Sequence, residues 1–122
     1  MGNSIDNFIV TPDMEAAMAA VCEFGNRTDP YAPSATLEDW LSVCPYDRPF
    51  ILCARSAKNG NYEYNVTIKE ACVILTIQVW DEYDIRAISS CKIPHSEFIE
   101  KLNSCDDPEK MMKWMDSKVK IE

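Results

Sequence analysis

The stretch Cys72-Val-Ile-Leu-Thr-Ile-Gln-Val-Trp80 decides the fold. Five of its nine residues are β-branched, none is Gly or Pro, and the turn-forming run Asp81-Glu-Tyr-Asp84 follows it. That composition predicts a strand rather than a helix. Its odd positions (Val73, Leu75, Ile77, Val79) make one wholly apolar face. The even positions (Cys72, Ile74, Thr76, Gln78, Trp80) make a second face that is more than half apolar. Such a strand is expected in the middle of a sheet with cover on both faces, from helices on each side or from a second copy of the chain.

Upstream of it, Pro49 to Ala57 and Tyr62 to Lys69 alternate with a period of two. They read as a hairpin joined at Asn59-Gly60, where both turn positions would take positive φ. Downstream, Ile85 to Ile93 supplies a fourth strand. Consecutive strands usually pair, so the expected sheet is a four-stranded antiparallel meander over about 49–93.

Helices flank this block. Thr11-Pro12-Asp13 is a helix start, with Thr as N-cap, Pro in the first turn and an acid beside it. Met14, Ala17, Met18, Val21 and Cys22 then share one face, and Gly25 is expected as the left-handed stop. A loop over 26–36 leads to a short helix from about Leu37 to Val43, opened by Thr36 and Asp39 as a capping box and ended by Pro45. Its inward face is Leu37, Trp40, Leu41 and Cys44. Pro94-His95-Ser96 opens a third helix, and Asp107-Pro108-Glu109 opens a fourth carrying Met111, Met112, Trp114, Met115 and Val119. The expectation is one α+β domain over 1–122, with two N-terminal and two C-terminal helices around the meander. At this length one core can bury about two thirds of the unfolded surface.

No apolar run approaches the roughly 20 residues a membrane helix needs. Residues 1–10 lack the basic start and apolar middle of a secretory signal, and Asp6 stands where a myristoylation signal wants Ser or Thr. The six cysteines are spread singly through apolar stretches, so they read as reduced, buried residues of a cytoplasmic protein rather than a disulfide framework.

The net charge of −8 is lopsided. Residues 1–47 hold eight acids and the single base Arg27, for −7; residues 48–122 hold twelve acids and eleven bases, for −1. The acidic balance argues against direct nucleic-acid binding, which needs a basic footprint. Catalytic signals are weak. His95 is the lone histidine, no Cys-x-x-Cys pair exists, and Gly2, Gly25 and Gly60 form no phosphate loop. No catalytic residue, metal or cofactor is expected.

The acidic segment offers a binding surface instead. Tyr31, Trp40 and Tyr46 are interleaved with Asp29, Glu38, Asp39 and Asp47, and Asp13, Glu15 and Glu23 precede them. Rings fill pockets while carboxylates meet Arg and Lys, so these ten residues are the expected grip on a basic protein. The leading reading is a small inhibitor that covers a basic surface of a nuclease or toxin-like enzyme, as immunity proteins and phage inhibitors of defence nucleases do. It would act as monomer or homodimer, with no membrane partner. The alternatives are a dimeric secretion chaperone or adaptor holding an extended client, and a small enzyme whose site the sequence hides. The Met/Trp face of the last helix is a second candidate surface, competing with plain core packing.

Overall fold

A computed structural model describes residues 9–28 and 36–119. The order of elements is α1 (Pro12–Thr28), α2 (Leu37–Val43), β1 (Phe50–Ala57), β2 (Gly60–Ile68), β3 (Val73–Asp81), β4 (Asp84–Ile93), α3 (His95–Ser104) and α4 (Pro108–Lys118). The four strands form one antiparallel sheet in the order β1-β2-β3-β4. The chain is α+β, with two helices before the meander and two after it.

The quoted stretch lies at the heart of this sheet. Val73, Leu75, Ile77 and Val79 are buried, and with Tyr64, Val66 and Ile68 of β2 they form the floor of the core. α1 contributes Met14, Ala17, Met18, Val21 and Phe24 to the same cluster; α4 contributes Met111 and Met115. Two contacts tie α4 down: the Cys53 thiol faces the Pro108 carbonyl at 3.9 Å, and the Tyr64 hydroxyl donates to Asp116 Oδ1 at 2.9 Å. α3 packs on α1, and the Arg27 guanidinium donates to the carbonyls of Leu102 (2.8 Å) and Cys105 (2.7 Å), capping the end of α3. Arginine at a helix C-terminus satisfies carbonyls that have no partner within the helix.

Of the two covers expected for the even face, the helical one does not form among the described residues. All helical cover among the described residues lies on the odd face of β3. The even positions Ile74, Thr76, Gln78 and Trp80 are only half-buried, and their β2 neighbours Asn65 and Thr67 are buried. Two of the five residues of this face are polar (Thr76 and Gln78, against Cys72, Ile74 and Trp80), which makes a half-wet surface tolerable.

Gly25 also departs from expectation. It does not end α1, which continues to Thr28. A Cβ on Gly25 would stand 2.2 Å from Trp40 Cζ2 and 2.3 Å from Cη2, so the glycine makes room for the indole of α2. The first hairpin turns on Lys58-Asn59, with Ala57 paired to Gly60. Only Gly60 takes positive φ there, at 137°, and its missing Cβ lets the Trp80 carbonyl approach. Ile9 and Val10 belong to no strand. Phe8, the N-terminal residues compared with a myristoylation signal and most of the 26–36 loop lie outside the described residues.

Candidate partner-binding surface

The acidic surface is built by the antiparallel return of α2 along α1. Thr36 caps α2: its Oγ1 accepts from the Asp39 backbone at 3.2 Å while its own N–H donates to Asp39 Oδ2 at 2.9 Å. Trp40 then lays its ring on Gly25, and its Nε1 donates to Asn26 Oδ1 at 3.3 Å. This fixes α2 against the C-terminal half of α1. The chain after α2 runs back toward the start of α1, bringing Tyr46 close to Glu15. Burial raises the Tyr46 phenol pKa, and the Glu15 carboxylate raises it further.

Charge at the other end follows the same logic. The Cys22 thiol is pushed up first by burial, then by Glu23, with the Asn26 hydrogen bond opposing and Asp39 adding a further push. Glu23 and Asp39 therefore sit around one point on the α1–α2 seam, as Glu15 and Tyr46 do around another. Asp13, Glu15, Glu23, Glu38 and Asp39 are all exposed. Among the described residues no Lys or Arg nitrogen lies within 4.0 Å of any of the five. Arg27, the one base of this half, is committed to the carbonyls of Leu102 and Cys105.

Not every expected contact residue is equally free. Asp47, in the left-handed region at φ 64°, is bridged by Lys69 Nζ at 3.2 Å. A lysine of the later half therefore offsets it. Trp40 is half-buried between α1 and α2, its ring and its indole nitrogen both engaged. Tyr46 is half-buried. Asp29 and Tyr31 lie outside the described residues. The seam thus sets Glu15 near Tyr46 at one end and Glu23 and Asp39 near Cys22 at the other, with Asp13 and Glu38 exposed on the same two helices.

Two large apolar side chains that the sequence does not single out are exposed. Val43, at the end of α2, is 68% exposed beside the acids. Tyr83 is 87% exposed at the tip of the β3–β4 hairpin, flanked by Asp81, Glu82 and Asp84. Tyr83 reads as a mere turn residue in the sequence; its exposure depends on how far the hairpin projects, which periodicity does not report.

The other candidate groups resolve into structure. Met111, Met115 and Val119 are core, with Met112 and Trp114 half-buried against it. His95 is buried, and its Nε2 lies 2.7 Å from the Lys69 carbonyl, tying α3 to the end of β2. None of the six cysteines is cross-linked, and among the described residues no cluster of His, Cys, Asp and Glu could hold a metal ion. No described helix is long and apolar enough to cross a membrane. Comparison with protein-family models, with curated proteins and with solved structures finds no match for this chain.

Proposed function

We propose that this chain is a small acidic binding protein that occludes a basic surface on a protein partner, in the manner of an immunity protein neutralising a nuclease toxin or a phage inhibitor of a defence nuclease. One observation carries the reading: five exposed carboxylates on α1 and α2 have no cation within reach among the described residues. Uncompensated like charge destabilises a compact chain by self-repulsion, and a cationic partner relieves it. The field of such a seam speeds encounter and selects partners. Tight binding then needs buried apolar anchors, for which Val43 and Tyr46 are placed at the edge of the seam. Nucleases suit the role because the groove that grips phosphates is itself basic.

The test is direct mixing with a panel of basic nuclease domains, with binding followed by calorimetry and activity by substrate cleavage. The expected result is inhibition whose affinity falls steeply as salt rises. Absence of binding across the panel, or affinity indifferent to salt, rejects the proposal. A second reading, a dimeric adaptor for an extended client, draws on the sheet face that no described helix covers. A chain that stays monomeric rejects that one.

A further inference from the structure

We infer that the sheet face that no described helix covers is a self-association surface, on which a second copy of this chain packs sheet against sheet. The register puts Ile51 of β1, Ile74 and Trp80 of β3, and Ile85 and Ile88 of β4 on this one face. Ile51 and Ile88 are 54% and 57% exposed, on the two edge strands, so the apolar character runs the full width of the sheet. Between them lie the half-buried Thr76 and Gln78 and the exposed Ser90, which can hydrogen-bond without bringing charge, while Asn65 and Thr67 of β2 are already buried.

Charge selects the occupant. The ionic side chains whose register places them on this face are Glu63 and Lys92, one of each sign. Glu63 already accepts from Trp80 Nε1 at 3.0 Å. Arg86, in the β4 bulge, is bonded to the Asn59 carbonyl. A chain carrying −8 therefore meets almost no self-repulsion here, whereas its α1–α2 seam would repel another copy. A strongly basic partner finds its complement on the seam instead, on the opposite side of the sheet. A second copy is the occupant that this near-neutral, mixed face fits.

Size bounds the affinity. Four strands about 4.8 Å apart, eight to ten residues long at about 3.3 Å per residue, make a face of roughly 450 Å² in plan. Full contact would bury less than the roughly 800 Å² per partner of a standard interface, the size of a weak, concentration-dependent dimer. Packed sheets lie about 10 Å apart, a spacing Ile and Trp side chains can fill. Such a dimer leaves both acidic seams pointing outward, so it goes beyond the proposed function without depending on it.

Sedimentation equilibrium on the full chain tests the inference, alongside the Ile51→Lys and Ile88→Lys variants. Both positions are open to solvent in one copy, and circular dichroism checks that each variant folds. The expected result is a dimer mass for the unaltered chain and a dissociation constant raised at least about tenfold by either lysine. A monomer at every concentration overturns the inference. So does a dimer that neither substitution weakens. Sensitivity to Ile88→Lys alone would place the contact along the β4 edge and overturn sheet-on-sheet packing.

Discussion

Gly25 offers the sharpest check on how α1 and α2 are joined. A glycine in a helix interior normally gives up about 1 kcal/mol relative to alanine, so Gly25→Ala would stabilise α1 by about that much if nothing stood opposite. Trp40 stands opposite. The new methyl would lie 2.2 Å from Cζ2, where ordinary contact begins at 3.4 Å, so the ring must retreat by about 1.2 Å. Overpacking of this kind costs about 1–3 kcal/mol. The retreat also strains the Trp40–Asn26 hydrogen bond, worth about 1 kcal/mol. Setting the helix gain against these costs leaves Gly25→Ala destabilising by about 2 kcal/mol, or a Tm about 8 °C lower for a chain of this size. In a Trp40→Ala background the clash is gone, and the same change should stabilise by about 0.5–1 kcal/mol. The assay is urea unfolding by far-ultraviolet circular dichroism on the four proteins of the double-mutant cycle, with a coupling of about 3 kcal/mol expected. Equal effects of Gly25→Ala in the two backgrounds would refute the packing. They would restore Gly25 to the role of helix stop.

Tyr64→Phe removes a fully buried hydroxyl that accepts from Arg55 Nε and donates to Asp116, both at 2.9 Å. A loss of about 1–2 kcal/mol in urea unfolding is expected, and Asp116→Asn in the Tyr64→Phe background should add little. Gly60→Ala combines a φ of 137° with a methyl 2.2 Å from the Trp80 carbonyl oxygen. It should cost at least about 2 kcal/mol and open the ends of both hairpins, read by hydrogen exchange at Asn61 and Trp80. The Cys53 thiol is pushed up to about 12 by burial, with Cys105 beside it adding to the shift, from an ordinary 9.0. Its protonated form is favoured in the folded state, so its contribution is whole below pH 9 and is lost as pH climbs from there toward about 12. The urea midpoint should therefore fall between pH 9 and pH 11, less steeply in Cys53→Val. Cys53 should also resist alkylation at pH 8 in the folded chain.

Much of the fold was legible because its signals are local. Thr36 and Asp39 form the capping box that their spacing predicts, Thr11 Oγ1 accepts from the Met14 backbone as an N-cap should, and the meander follows from four strands separated by short turns. What escaped was set by partners distant in sequence. Gly25 looks like a stop until Trp40, fifteen residues on, is seen to need its space. The even face of β3 looks buried until the helical cover among the described residues falls on the odd face, leaving Ile74 and Trp80 half-buried. The acidic segment was visible as composition, but its division was not. Asp47 is offset by Lys69, Trp40 is held between helices, and Glu15, Glu23 and Asp39 stay open along the seam.

The central claim is that this seam exists to meet a cationic surface. Its most direct test compares two neutralised forms of the chain, titrated against a basic nuclease domain that the unaltered chain inhibits. One form replaces Asp13, Glu15, Glu23 and Glu38 with their amides; Asp39 is kept because it caps α2. The other replaces Asp81, Glu82 and Asp84 at the hairpin tip. The account predicts that the first form loses affinity at least about a hundredfold at low salt and most of its salt dependence, while the second stays within about threefold of the unaltered chain. Loss confined to the hairpin-tip form, or no loss in either, contradicts it.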